Sequence, residues 1–253
     1  MTDSDTPQNG RDRNAKESGI DSRIQNEFLS TISHELRTPL TALAGYGEIL
    51  ADGILGELTP SQRDTIERMR AVTHQLTVMI DSILTFTNLQ AGSEKPVLSD
   101  LDPEKVLREA VGVMEPIARK KGVELVVTAT CSGVFRSDKE KIRQILVHLT
   151  DNAIKFIGNG ERRVELSVAD RERTVCFTVV DFGIGISEGD LQRLFQPFVR
   201  VDTGLTRRHG GIGLGLYISQ CLAKLLDGRI EVESTLGVGS TFSLVLPRKE
   251  FGS

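Results

Sequence analysis

Through the first third of the chain, apolar residues return on alternating steps of three and four. Leu29, Ile32, Leu36, Leu43, Tyr46 and Leu50 form one such series, interrupted only where Pro39 takes the missing step. The spacing predicts a helix from about Ile20 to Asp52. The segment 52–57 reads as a turn, with Thr59 as cap and Pro60 at the first position of a second helix. Ile66, Met69, Thr73, Leu76, Ile80 and Ile83 repeat the spacing, and Gly92 ends that helix. Each helix carries an apolar stripe, and a lone hairpin leaves both stripes wet. Two hairpins pairing into a four-helix bundle cover them, so a homodimer is expected through residues 20–92, with packing of the hairpin on the rest of its own chain as the alternative.

The pattern changes after a linker at 93–100. Asp102 and Pro103 open a helix reaching about Lys121, with Pro116 expected to bend or interrupt it. Residues 123–130 alternate as a strand, 138–156 as a long helix, and 163–169 with 174–181 as paired strands. A short helix is expected at 191–195, a longer one at 214–226, and a closing hairpin at 229–235 and 240–246. The fold class predicted for 101–249 is an α/β sandwich, a mixed sheet covered by helices on one face. Residues 1–19 are polar and read as a disordered tail.

Composition narrows the function classes. The chain has 253 residues, a net charge of −4 and no Trp, which argues against nucleic acid as partner. Cys131, Cys176 and Cys221 form no CxxC pair and no cluster with histidine, so neither a disulfide framework nor a zinc site is expected. With no apolar run of membrane-span length and no signal peptide, a cytoplasmic location is expected.

The phase of the first helix places His34 at heptad position f, away from the seam, beside Glu35 and one turn before Thr38. Alone, this is an exposed surface histidine near a proline. The helix 138–156 carries His148, Asn152 and Lys155 on one polar stripe, which alone is a solvated face. An amide oxygen suits Mg²⁺, however, and a nearby ammonium suits phosphate. Asp181 ends a strand and precedes Gly183 and Gly185. A carboxylate there can accept an amino group while the backbone approaches closely, although a plain glycine turn accounts for the same residues. Leu194-Phe195-Gln196-Pro197-Phe198 follows, then a basic stretch with Arg200, Arg207, Arg208 and His209, then Gly210 to Leu216 opening a helix. Asp181-Phe182-Gly183 lacks the HRD partner of eukaryotic protein kinases, and no GxGxxG is complete.

In their order, these segments resemble the H box, N box, first glycine box, F box, second glycine box and closing hairpin of the histidine protein kinases, over residues 24–247. The H box stands as Ser33-His34-Glu35-Leu36-Arg37-Thr38-Pro39-Leu40. The resemblance implies a dimerisation and phosphotransfer domain followed by a GHKL-type ATPase domain. His34 would accept phosphate from ATP, Glu35 its proton, and Thr38 would position water for a phosphatase reaction. Asn152 would ligate Mg²⁺. Lys155, Phe156 and Arg207 would line the phosphate side, with Gly211, Gly213, Leu214 and Gly215. Asp181, Gly183, Gly185 and Thr241 would hold adenine. A response-regulator receiver domain is the implied phosphate acceptor, and a separate sensor protein a candidate input. His148 departs from the frequent asparagine and from the water-activating glutamate of gyrase-like relatives, and Ile212 from a frequent threonine. A regulator-binding scaffold and a GHKL ATPase without phosphotransfer stay open as alternatives.

Overall fold

The computed structural model describes residues 35–131, 133–158, 160–199 and 212–248. His34, Arg207 and Gly211 lie outside them. The chain divides into two compact units, one ending at Glu94 and the other beginning at Lys95.

The first unit is a helical hairpin. Helix α1 runs over residues 35–51 and α2 over Pro60–Gln90. Thr59 caps α2 with a reciprocal capping box: its hydroxyl accepts from the Gln62 N–H and the Gln62 side chain accepts from the Thr59 N–H. Leu40, Ile66 and Thr87 are buried within this unit. Where the helices pass, a Cβ on Gly47 would stand 2.8 Å from Cγ of Arg70, so the small residue admits the close approach. The predicted seam is only partly used. Leu36 is 45% exposed, Tyr46 64% and Met69 53%, with Leu43 and Leu76 similarly wet.

The second unit is a helix-backed sheet. Its elements are β1 (Ser99–Leu101), α3 (Pro103–Lys120), β2 (Glu124–Thr130), β3 (Phe135–Ser137), α4 (Lys139–Lys155), β4 (Arg163–Arg171), β5 (Thr174–Asp181), α5 (Glu188–Leu191), α6 (Gly215–Leu225), β6 (Arg229–Thr235) and β7 (Gly239–Pro247). The main sheet has the order β2-β4-β5-β7-β6. Only β2 and β4 pair in parallel, so the sheet is mixed. The inward rows are Val164, Leu166 and Val168 on β4, Val175, Phe177 and Val179 on β5, and Phe242, Leu244 and Leu246 on β7, and on β5 and β7 Cys176, Ser243 and Val245 are buried as well. The register sets Leu166 opposite Val179 and Val179 opposite Phe242, so these rows form one continuous inner face.

Helix α4 is the centre of the packing and contacts both α3 and α6. It buries Ile142, Ile145, Leu149 and Ala153 as the periodicity predicts, and Leu146, Thr150 and Ile154 as well, because it is flanked on two sides. Asp138 caps it by accepting from the Lys141 N–H, while its second oxygen accepts from the Val97 N–H at 2.7 Å.

Three local expectations change. Pro116 does not end α3, which runs unbroken to Lys120. The short helix expected at 191–195 lies at Glu188–Leu191, because the Ser187 hydroxyl accepts from the Asp190 N–H and starts it earlier. Ser99 and Asp100, read as linker, pair with β3 as a strand.

Candidate nucleotide site

Asp181 sits at the end of β5 and continues its inward-facing row, which leaves it 6% exposed. Its carboxylate accepts from the Gly183 N–H at 2.9 Å and hydrogen-bonds with Ser240. Burial pushes its pKa upward, against these hydrogen bonds, which hold it down.

Ser240 is directly opposite Asp181 in the β5–β7 register, whereas Thr241 pairs with Val180. Residues on one strand alternate between faces, so Ser240 shares the face of Asp181 and Thr241 points to the other side. In the closing hairpin it is Ser240, one position before Thr241, that the pairing sets beside the Asp181 carboxylate. It belongs to a short relay: its hydroxyl lies 2.9 Å from that of Ser234, and the Ser234 oxygen accepts from the Ile186 N–H at 2.8 Å.

Three stretches of backbone close on one another beside this carboxylate. The Ile184 N–H donates to the Phe156 carbonyl at the C-cap of α4, 3.1 Å away. The Gly237 N–H donates to the Ile184 carbonyl at 2.7 Å. A Cβ on Gly183 would run into the Phe156 carbonyl oxygen, and one on Gly185 into that of Thr235. Gly185 also has φ +65°, a conformation that side-chain-bearing residues rarely adopt. The glycines are therefore fixed by contact, and the floor of the site is main chain.

Helix α4 brings Asn152 and Lys155 to the same side, both partly exposed. Lys155 is ion-paired with Asp151, and Phe156 forms the C-cap rather than a core contact. Leu214, buried, opens α6, whose first turn receives no side-chain cap. The N-terminal turn of a helix can meet an anion through its amides. The Phe198 N–H donates to the Gly213 carbonyl at 3.1 Å, which fastens the F-box segment to the second glycine segment. Beneath them, Nδ1 of His148 lies 3.2 Å from the Ser219 hydroxyl.

In the hairpin unit, Glu35 and Thr38 stand exposed on α1. Between them in sequence, Arg37 pairs with Asp81 of α2. Both partners are about half exposed, so the pair adds little stability. No helix among the described residues is long and apolar enough to cross a membrane.

Comparison with known proteins agrees with this arrangement. Residues 24–92 match the family described as His Kinase A (phospho-acceptor) domain. Residues 137–250 match the family of histidine kinase-, DNA gyrase B-, and HSP90-like ATPases. The chain is 36% identical to the autoinducer 2 sensor kinase/phosphatase LuxQ of Vibrio cholerae, over 93% of its own length and 27% of that protein's. It is 37% identical to the sensor protein GacS of Pseudomonas syringae, over 90% of its length and 26% of the relative's. It thus spans about a quarter of these curated relatives. Full-length ShkA, solved in complex with AMPPNP, superposes with a TM-score of 0.72 at 30% identity, covering 90% of this chain and 47% of that one. With both family signatures in order on one chain, and a buried carboxylate set beside a main-chain floor, the protein belongs to the sensor histidine kinases.

Proposed function

We propose that this chain phosphorylates its own His34 from ATP and passes the phosphoryl group to an aspartate on a separate receiver domain. The observation that carries the reading is Asp181. It is a buried carboxylate whose hydrogen-bond donors are Gly183 and Ser240, held at the edge of a glycine-built floor. A fixed acceptor in that position suits the exocyclic amino group of adenine. The polyphosphate would then run toward Lys155 and the uncapped first turn of α6. Arg207 and Gly211, which lie outside the described residues, are proposed for the same phosphate side from their places in the sequence motifs.

The residues present also fit a metal. Asn152 offers an amide oxygen on the stripe that carries Lys155, and an oxygen ligand of this kind suits Mg²⁺ shared with phosphate. When bound, Mg²⁺ would neutralise charge on the phosphate oxygens.

In the transfer, a neutral His34 nitrogen attacks the γ-phosphorus. An N–P bond forms as the bond to the β,γ-bridging oxygen breaks, and ADP leaves. The imidazole proton passes to Glu35, its neighbour on α1. Thr38, one turn on, is assigned to orienting water when the phosphorylated regulator is hydrolysed. The site lacks a carboxylate at position 148, where water-activating relatives carry one, which favours transfer over hydrolysis.

The exposed seam of Leu36, Leu43, Tyr46, Met69 and Leu76 supports a homodimer through the hairpin. Incubation with γ-labelled ATP tests the whole reading. The wild type should acquire acid-labile label, and His34→Gln should acquire none. Asn152→Ala should lose the Mg²⁺-dependent label while remaining folded by circular dichroism. Label that persists on His34→Gln overturns the assignment. Steady hydrolysis independent of His34 would favour a plain ATPase, and binding without label a scaffold.

A further inference from the structure

His148 is the residue of the polar stripe that no binding role accounts for. Its imidazole bridges two helices. Nδ1 lies 3.2 Å from the Ser219 hydroxyl, and the ring hydrogen-bonds with the backbone of Gly215. Gly215 is the first residue of α6 and Ser219 is four residues further, so both contacts fall on one face, a turn apart. Ser219 is fully enclosed. The other buried residues of α6 are Ile218, Leu222 and Ala223. Apolar contact is non-directional and leaves the axial setting of a helix loosely determined. The polar bridge supplies a direction. Burial lowers the pKa of His148 to about 4, with Asp151 raising and Lys155 lowering it, so the ring is neutral at physiological pH.

We propose that His148 is a positioning residue for polyphosphate: by holding one turn of α6 from α4, it keeps the uncapped start of α6 in register with Asn152 and Lys155. The ring need not touch the nucleotide. It sets the distance between two groups that do, the first-turn amides of α6 and the stripe of α4. This inference rests on the site being an ATP site.

The experiment compares affinities for ATP and for adenosine, which shares the Asp181 end but carries no phosphates. Titrations use the full chain with Mg²⁺, and thermal unfolding is followed alongside. His148→Leu keeps the volume and removes both hydrogen bonds. It should weaken ATP about tenfold, the size expected when one or two such bonds are lost, with adenosine unchanged. Ser219→Ala removes one of the bonds at little cost in volume and should show the same selectivity with a smaller loss. His148→Asn can place an amide atom near the position of Nδ1 and should restore most of the ATP affinity. If ATP and adenosine weaken equally in both His148→Leu and Ser219→Ala, or if neither changes, His148 is structural only and the proposal falls. Wild-type protein that binds adenosine and ATP alike, or neither, would overturn the ATP reading itself.

Discussion

At the scale of single residues, the two most perturbed groups of the candidate site pull stability in opposite directions with pH. Asp181 has its carboxyl raised by burial. In the unfolded chain it ionises at the ordinary value, so its contribution is greatest in acid and declines as pH rises through the raised folded value. His148 is held neutral, its pKa lowered from 6.5 to about 4. Its contribution is complete above the ordinary value and is lost as pH falls from about 6.5 toward 4. Asp181→Asn should therefore make the protein more stable at pH 7 than the wild type while lowering ATP affinity at least tenfold, because an amide N–H then faces the adenine amino group. His148→Asn should flatten the acid limb between pH 6.5 and 4. Urea midpoints across pH 4–8 for the three proteins read both effects. A stability loss at pH 7 in Asp181→Asn would contradict the first, and an unchanged acid limb in His148→Asn the second.

At the scale of elements, the glycine loop after β5 is held by backbone contact rather than by side chains. Gly185→Ala would place a Cβ against the Thr235 carbonyl at a positive φ. It should cost roughly 2–4 kcal/mol in denaturant unfolding. Gly189→Ala, on α5 with open space around it, should be neutral or stabilising by about 0.5–1 kcal/mol. Equal effects at the two positions would show that the loop has slack. The elements themselves were legible in the sequence where periodicity is long. The α4 face, the β4–β5 pair and the closing hairpin follow from the spacing of Ile142, Ile145 and Leu149 and from the alternation around Phe177 and Phe242. What one strand cannot reveal is the residue opposite. Ser240 differs from Thr241 only by pairing parity, and parity is set by β5. The start of α5 follows from the hydroxyl cap at Ser187, which outweighs the apolar pair Leu194 and Phe195. The strands β1 and β3 are three residues each, too short to alternate. Gly47 reads as a weak point of α1, and its use emerges only once Arg70 lies beside it.

At the scale of the whole molecule, the two units differ in what they leave exposed. Among the described residues, the helix-backed sheet encloses a core from Leu101 to Leu246, while the hairpin buries little beyond Leu40, Ile66 and Thr87. The proposed dimer would cover the exposed seam and so tie the stability of the hairpin to protein concentration. Two thermal transitions are expected. The helical one should rise by several degrees between 1 and 100 μM protein, and the other should stay in place. Sedimentation equilibrium over the same range should show a dimer, and a monomer with concentration-independent melting would exclude pairing through the seam. The main-chain floor formed at Phe156, Gly183, Gly185 and Thr235 has a practical consequence for inhibition. Drug resistance by point substitution works by exchanging one side chain for another, and at Gly183 and Gly185 there is none to exchange. A compound contacting that backbone would leave escape to the rim, at Asp181, Asn152 or Lys155, and on the proposed function a change there would sacrifice the nucleotide along with the drug.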